Sequence, residues 1–449
     1  MTAASILPIK GPTKIEKEEL TTLAKQITQS NESSSIIWNN LEEMVRMKVR
    51  EFIQGLLESE VEELLGRQKS ERRRLVDSPL VYRNGYGKAR KLTLGCGTIS
   101  IQRPRVRGLE KRFESQVLPL FVKRTPEVNR LLPELYLHGL ALGDFDLALR
   151  GLLGKDAPIS AGTVARLKEK WQAEWAEWRQ RPLDGLEVVY MWVDGVYVKA
   201  GLEKEKAALL VAIGGLSNGE KVVLTVTPGY RESNEGWSAI LRDLMERGMN
   251  KPKLVIGDGH LGIWGALNNV YPGVAEQRCW NHKVMNVLDK LPKKAQAQGK
   301  LELQKIFTAE SLREAENARN LFAGWCKKES YSAAKEALER DWERMVTFYQ
   351  FPKEHWRHLR TTNIVESPFA ALRLRTAAAK RFKKVSNATA VIWKMMMLAE
   401  RRFRKLDAPE RMKLVFLGVR FEDGIEVLAS LNTAPATERI EQEKELSAV

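Results

Sequence analysis

The 449 residues carry 73 Lys and Arg against 57 Asp and Glu, a formal net charge of +16, and the length allows roughly two to four domains with at least one sizeable core. No run approaches about 18 consecutive apolar residues, which excludes a membrane-spanning helix, and MTAASILPIKGPTKIEKEEL lacks the basic-then-apolar order of a secretory leader. Three widely spaced cysteines, Cys96, Cys279 and Cys326, argue against a disulfide framework and for a reducing compartment. The cationic excess points to a polyanion partner, most simply nucleic acid, with an anionic membrane surface as the weaker alternative.

Residues 1–32 are polar and charged, and no stable element is expected there. From Ser33 to Leu65 the apolar positions Ile36, Ile37, Leu41, Met44, Val45, Val49, Phe52, Ile53, Leu56 and Leu57 recur at helical spacing. Between 80 and 107 the period changes to two: Leu92, Leu94 and Cys96, then Ile99 and Ile101, predict a hairpin around Gly95-Cys96-Gly97. Arg83, Lys88, Arg90, Lys91, Arg103, Arg105 and Arg107 crowd this stretch, which suits phosphate contact, or else a plain solvated β surface. Helices follow at Glu127–His138, Phe145–Leu153 and Ser160–Trp178, with Ser160 as an N-cap. That layout fits a helix-turn-helix whose last helix, carrying Arg166, reads DNA; it also fits an ordinary structural helix pair. GLLGKDAP lacks the spacing and hydroxyl of a phosphate loop.

The segment 186–282 is the most regular. LEVVYMWVDGVYVKA, AALLVAIGG and KVVLTVTPG read as three strands, WSAILRDLMERGM as a helix, KLVIGDG as a fourth strand, HLGIWGALNNVYP as a helix and 274–278 as a fifth strand. The order β-β-β-α-β-α-β predicts a mixed α/β sheet with the first strand central. A long charged helical block occupies 283–350, and one or two more helices, over 361–405, end in Arg401-Arg402-Phe403-Arg404-Lys405.

Asp194 lies inside the first strand, where a carboxylate is costly unless paired or on a metal. Asp258 ends the fourth strand between Gly257 and Gly259. If the two strands are parallel neighbours, both acids reach one sheet edge, the usual place for sites in such sheets. Paired carboxylates repel, and a hard divalent cation resolves the repulsion. A third acid, Glu366 in TTNIVESPFAALRLRT, stands at a helix start with Arg373 and Arg375 behind it. It serves as a ligand or as a structural cap, with Asn363 opening a capping box or Ser367 capping a helix begun by Pro368. Cys279-Trp280-Asn281-His282 is half of a zinc motif; Cys326, His355 and His358 complete no convincing tetrahedral set.

Taken together, VDGVYVK, GDGHLG, QRCWNHK and TTNIVES…LRLRT, with EVEELLGR…YRNGYGKARKL…RPRVRG upstream, closely resemble the mutator family of transposases in its bacterial insertion-sequence branch. The resemblance runs from about residue 55 to about residue 405. It implies an α/β fold: an RNase H-like catalytic core with a mixed sheet, interrupted by an all-helical insertion and preceded by helical and helix-turn-helix DNA-binding regions. The regions expected are 1–75 helical, 76–125 the basic hairpin, 126–185 helix-turn-helix, 186–285 the first part of the core, 286–358 the insertion, 359–405 the closing helices and 406–449 a tail. Asp194, Asp258 and Glu366 become a catalytic triad for Mg2+, with Mn2+ as a substitute. His260, Cys279 and His282 become supporting residues, and Pro368 stands where relatives often carry another residue. The activity implied is cleavage at an element's terminal inverted repeats followed by strand transfer into target DNA. The partner is then double-stranded DNA, the protein works as a homodimer or larger on it, no membrane is involved, and the site of action is the bacterial cytoplasm. A nuclease that cuts without joining, or a catalytically silent DNA-binding regulator, remain as alternatives.

Overall fold

A computed structural model describes residues 31–71, 81–140, 142–154, 161–201, 206–229, 233–259 and 261–427. The expected polar N-terminal stretch, the Ser160 cap, His260 and the end of the tail lie largely or wholly outside these. The chain divides into two compact units, 1–134 with 142–161, and 135–141 with 162–449. Among the described residues no helix is long and apolar enough to cross a membrane.

The first unit opens with helix α1 (Asn31–Leu65). Strands β1 (Tyr82–Tyr86) and β4 (Pro104–Arg107) pair antiparallel, as do β2 (Arg90–Leu94) and β3 (Gly97–Ile101). The β2–β3 turn is the predicted Gly95-Cys96, with Leu94 opposite Gly97, and Gly97 takes φ +122°, which favours glycine. Leu57 of α1, Leu92, Ile99, Ile101 and Leu118 make one small core. The helical periodicity of α1 is real but only half used. Leu57 and Val61 are buried, while Leu41, Val45 and Phe52 are exposed.

The three helices expected next are present as α2 (Pro126–Leu137), α3 (Leu142–Leu153) and α4 (Ala161–Arg179). They do not share a unit, since α3 falls in the first and all but the first residue of α4 in the second. The tryptophans of α4 explain its docking. Trp171 stacks on Tyr136, Trp178 on Trp393, and the Trp175 indole donates to the Val226 carbonyl at 3.0 Å. One face of the expected reader helix is therefore packed against the core of its own unit. Arg166 remains exposed.

The second unit is built on a five-stranded mixed sheet. Strands β5 (Val188–Val198), β6 (Ala207–Leu216) and β7 (Lys221–Gly229) form an antiparallel meander; β8 (Leu254–Gly257) and β9 (Ala275–Arg278) add in parallel on the other side of β5. The order is β7-β6-β5-β8-β9, so the first strand is central, as its apolar character on both faces required. Helices α5 (Asn234–Glu246) and α6 (Leu261–Val270) make the crossovers. Their Trp237, Leu241, Trp264 and Leu267 pack with Met191, Val193 and Val255 of the sheet in the main hydrophobic cluster.

The helical block is α7 (Trp280–Leu288), α8 (Lys293–Phe307), α9 (Leu312–Lys328), α10 (Ser332–Glu339) and α11 (Trp342–Val346). After α12 (Trp356–Leu359) come α13 (Asn363–Glu366), α14 (Phe369–Ala379) and α15 (Val385–Glu400), the last packed on β7. The expected C-terminal tail is structured as far as residue 427. Helix α16 (Pro409–Leu417) and the two-residue strands β10 (Phe421–Glu422) and β11 (Ile425–Glu426) bury Met412, Val415 and Phe421. Pro409 in the first turn and Gly418 at φ +91° after the last were legible start and stop signals.

Candidate active site

Side chains alternate between the faces of a strand, so Tyr190, Trp192 and Asp194 share one face of β5, opposite the face where Met191 and Val193 meet α5 and α6. The parallel register pairs Tyr190 with Leu254, Met191 with Val255 and Trp192 with Ile256. The last observed pair lies two residues before each aspartate, Asp194 within β5 and Asp258 just beyond the end of β8. Both acids are half-buried, at the carboxyl end of β8 and on the central strand. The Asp194 carboxylate accepts from the Gly195 backbone N–H at 2.8 Å.

The turn holding Asp258 is braced from β9. The Arg278 guanidinium donates Nε to the Asp258 carbonyl at 3.2 Å and Nη1 to the Asp341 carboxylate at 2.6 Å. Gly259, at φ +99°, leaves room for that arm; a Cβ there would stand 2.1 Å from Arg278 Nε. Asp341 opens α11, the last helix of the inserted block, in a left-handed conformation at φ +64°. The second aspartate is thus held by a residue of the helical block as well as by the sheet.

Glu366 reaches the same place because residues 358–362 are tied to the sheet face. Trp192 Nε1 donates to the His358 carbonyl at 2.9 Å, and Trp280 N to the Arg360 carbonyl at 2.8 Å. Thr362 donates its N–H to Cys279 Sγ at 3.3 Å, and its hydroxyl oxygen, whose proton goes to Glu366, lies 3.1 Å from the same sulfur. Cys279 N in turn donates to the Gly257 carbonyl at 2.8 Å. Helix α13 then packs on β5 and β6. Neither capping register expected from the sequence forms. Thr362 holds the cap position, Glu366 closes a one-turn helix with its carboxylate held by the Thr362 hydroxyl, and Ser367-Pro368 separates it from α14. Proline has no N–H to continue the ladder, so the helix breaks beside the acid.

Cys279 and His282 lie beside Glu366: one sulfur, one ring nitrogen and one carboxylate oxygen fall within 4.8 Å of each other. His282 Nδ1 is 3.8 Å from the Glu366 carboxylate and is itself buried without a hydrogen bond. The neighbouring Cys279, as hydrogen-bond partner and charge, pushes the imidazole pKa up to about 9 against the opposing effect of burial, and the charges of Asp258 and Glu366 add to it. The other zinc candidates are dispersed. His355 bonds to the Tyr190 hydroxyl at 2.8 Å, His358 pairs with Asp407 at 3.1 Å, and Cys326 is buried in α9.

The basic candidates separate by environment. Arg83 is committed to Glu58 at 2.8 Å and Glu62 at 3.2 Å, and Arg90 to the Val122 carbonyl. Arg105 donates to the Tyr86 carbonyl at 3.0 Å, and Arg103 is half-buried, with burial and Arg90 holding its pKa down. Lys88, Lys91, Arg107 and Arg373 are exposed. Arg375, expected at a DNA surface, is 1% exposed, donates to the Leu140 carbonyl at 2.9 Å and lies 3.8 Å from the Tyr136 ring centre. Arg375 falls three residues after Leu372 and six after Phe369 on the buried face of α14, and its role is packing. Arg375→Ala lowers stability by about 2–4 kcal/mol, from a lost charged hydrogen bond and a desolvated cation–π contact. Arg373→Ala leaves the melting temperature unchanged; paired thermal melts of the two variants check this.

Residues 18–405 match the model of a family described as Transposase, Mutator family. The chain is 42% identical over 298 residues to the transposase for insertion sequence element IS6120 of Mycolicibacterium smegmatis, covering 66% of this chain and 92% of that protein. It is 40% identical over 280 residues to the transposase for insertion sequence element IST2 of Acidithiobacillus ferrooxidans, covering 62% and 94%. Over a longer span, 386 residues and 85% of this chain, it is 28% identical to the transposase for insertion sequence element ISRM5 of Rhizobium meliloti, covering 91% of that protein. A match over most of the chain, across the sheet, the helical block and the strap that carries Glu366, places it: the chain belongs to the Mutator family of transposases.

Proposed function

We propose that this protein is the DNA transposase of an insertion sequence, acting through Asp194, Asp258 and Glu366 on an RNase H-like core. The observation that carries the reading is the β5–β8 register, whose last pair lies two residues short of each aspartate, together with the Thr362–Cys279 strap that delivers the third acid. The strand order, an antiparallel meander with two parallel additions beyond its first strand, and the helical block inserted between β9 and α13 support the core assignment.

Three half-buried carboxylates would supply the hard oxygen donors that Mg2+ or Mn2+ takes, while the donor atoms already within 4.8 Å of one another are those of Cys279, His282 and Glu366. A divalent ion bound there makes water or a 3′ hydroxyl nucleophilic at neutral pH and offsets charge on the phosphate. The chain's own groups do the rest. Thr362 fixes the Glu366 carboxylate, Arg278 and Gly259 fix the turn of Asp258, and Gly195 N–H fixes the Asp194 oxygen. His282 places its imidazole 3.8 Å from the Glu366 carboxylate, where Cys279 favours the protonated ring. Water attacks the phosphodiester at an element end, leaving a 5′ phosphate and a free 3′ hydroxyl, and that hydroxyl attacks a phosphodiester of target DNA, joining its 5′ phosphate and expelling the target's 3′ oxygen as a new 3′ hydroxyl. Exposed cations such as Lys88, Lys91, Arg107, Arg166 and Arg373 contact phosphates of the terminal inverted repeats and target. Two ends must meet, so the working form on DNA is a homodimer or larger. The three free cysteines and the DNA substrate suit the bacterial cytoplasm.

The test supplies a pre-cleaved terminal-repeat duplex ending in a 3′ hydroxyl, Mg2+ and a target plasmid. Joined product is expected, and chelation abolishes it. Cleavage of an uncut end with no joining in any arm overturns the transposase reading in favour of a nuclease; end binding with neither reaction reduces the chain to a regulator.

A further inference from the structure

We propose that Phe121 is a stacking wedge that inserts beside a base of bound DNA. Phe121 is 86% exposed, an unusual place for a large apolar ring. It also sits at φ +68°, the left-handed region where a bulky side chain is a genuine outlier. The cause is a tight turn. Val122 N donates to the Pro119 carbonyl at 3.4 Å, so Phe121 is the third residue of a four-residue turn whose positive φ normally selects glycine. Folding alone gives phenylalanine no advantage there: the ring gains no burial, and the backbone would be less strained without it.

The turn is held firmly while its tip projects. On one side Leu118 is buried in the small core, its N–H donated to Ser115 Oγ at 3.0 Å. On the other, Val122 packs against the same core and its carbonyl accepts from Arg90. Thr93 N then donates to the Lys123 carbonyl at 2.9 Å and Thr125 N to the Thr93 carbonyl at 3.0 Å, so residues 123–125 run alongside β2. Lys123, two residues after the ring, and Lys91 on β2 are exposed cations, and the guanidinium of Arg90 binds the Val122 carbonyl next to Phe121. A rigidly presented aromatic ring on a segment with exposed cations has the chemistry that recognises nucleic acid. The cations hold phosphates, and the ring stacks on a base or enters a base step. The proposal rests on the DNA-binding reading above and assigns the first unit a part in distorting the duplex.

The experiment compares full-length wild type with Phe121→Gly and Phe121→Trp on a terminal-repeat duplex in which 2-aminopurine replaces each base in turn. Wild type and Phe121→Trp should raise the fluorescence at one position, reporting unstacking. Phe121→Gly should lose that signal and bind about tenfold more weakly, the loss of one stacked base. Its melting temperature should equal or exceed that of wild type, because glycine fits the turn. Three results overturn the wedge: wild-type affinity and fluorescence in Phe121→Gly, no unstacking at any position with wild type, or an altered oligomeric state of Phe121→Gly by light scattering with DNA binding intact, which marks a protein contact instead. A wild type that binds no duplex removes the DNA reading itself, a result distinct from these.

Discussion

Asp194→Asn and Asp258→Asn each abolish strand cleavage and strand transfer, by about 10³-fold or more, while terminal-repeat binding and the melting temperature stay near wild type. The substitutions keep shape and change charge. On the proposed mechanism several kcal/mol of transition-state stabilisation depend on these carboxylates holding a metal, and each 1.36 kcal/mol is tenfold in rate. Folding does not suffer, because neutralising one of two neighbouring carboxylates removes a repulsion and leaves a hydrogen-bonding amide in its place. Glu366→Gln follows the same pattern, with Thr362 still able to hold the side chain. Gel-based cleavage and joining assays beside a binding titration and a thermal melt separate these effects. Cleavage at wild-type rate in Asp194→Asn removes the triad from the mechanism; loss of DNA binding in step with catalysis makes the acids structural.

Arg278→Ala lowers both stability and turnover, and the two losses can be separated. The Arg278–Asp341 pair is mostly buried, with side chains 12% and 20% exposed, so removing the arginine leaves that carboxylate only the longer contact to Arg344 at 3.6 Å. The cost expected is about 2–4 kcal/mol, at and just below the range for a broken buried pair given the residual exposure. Adding Asp341→Asn removes that weakly paired charge and recovers much of that stability. It does not restore turnover, because the bond from Arg278 Nε to the Asp258 carbonyl is still missing and the turn carrying the acid is released. Turnover should stay about 10–100-fold down in the double variant, the scale set by a small misplacement of a catalytic group. Arg278→Lys rescues neither property fully, since one ammonium cannot span both acceptors as a planar guanidinium does. Single-turnover cleavage with chemical denaturation of the single and double variants measures both. Full recovery of turnover by Asp341→Asn shows that Arg278 matters only for folding.

The supporting triad of His260, Cys279 and His282 divides by position. His282 and Cys279 stand against Glu366, whereas His260 lies outside the described residues. The CxxH spacing attracted attention as half a zinc motif, yet its chain partner is Thr362, whose N–H and hydroxyl both reach the sulfur. No periodicity pointed to that threonine. It precedes an apparent capping box, and its partner lies in a different segment.

By itself the sequence determined the elements and the identity of the acids. The alternation around Gly95-Cys96 gave the hairpin, and the doubly apolar run 188–193 gave a central strand. Asp194 and Asp258 stood out because a charge in or beside an apolar strand needs a reason, whereas Glu366, at a helix start, was open as ligand or cap until the family resemblance singled it out. Those are local facts, set by periodicity of two or 3.6 and by the cost of burying charge. Only the tertiary structure decided which groups meet. The parallel register set Trp192 beside Ile256, two residues short of each aspartate, the 358–362 strap carried Glu366 across the helical block to Cys279 and His282, and helix phase sent Arg373 outward and Arg375 onto Tyr136. It also docked α4 through its tryptophans and presented Phe121 on a strained turn. Register, helix phase and the pairing of distant segments come from packing between parts of the chain remote in sequence, and no local pattern specifies them.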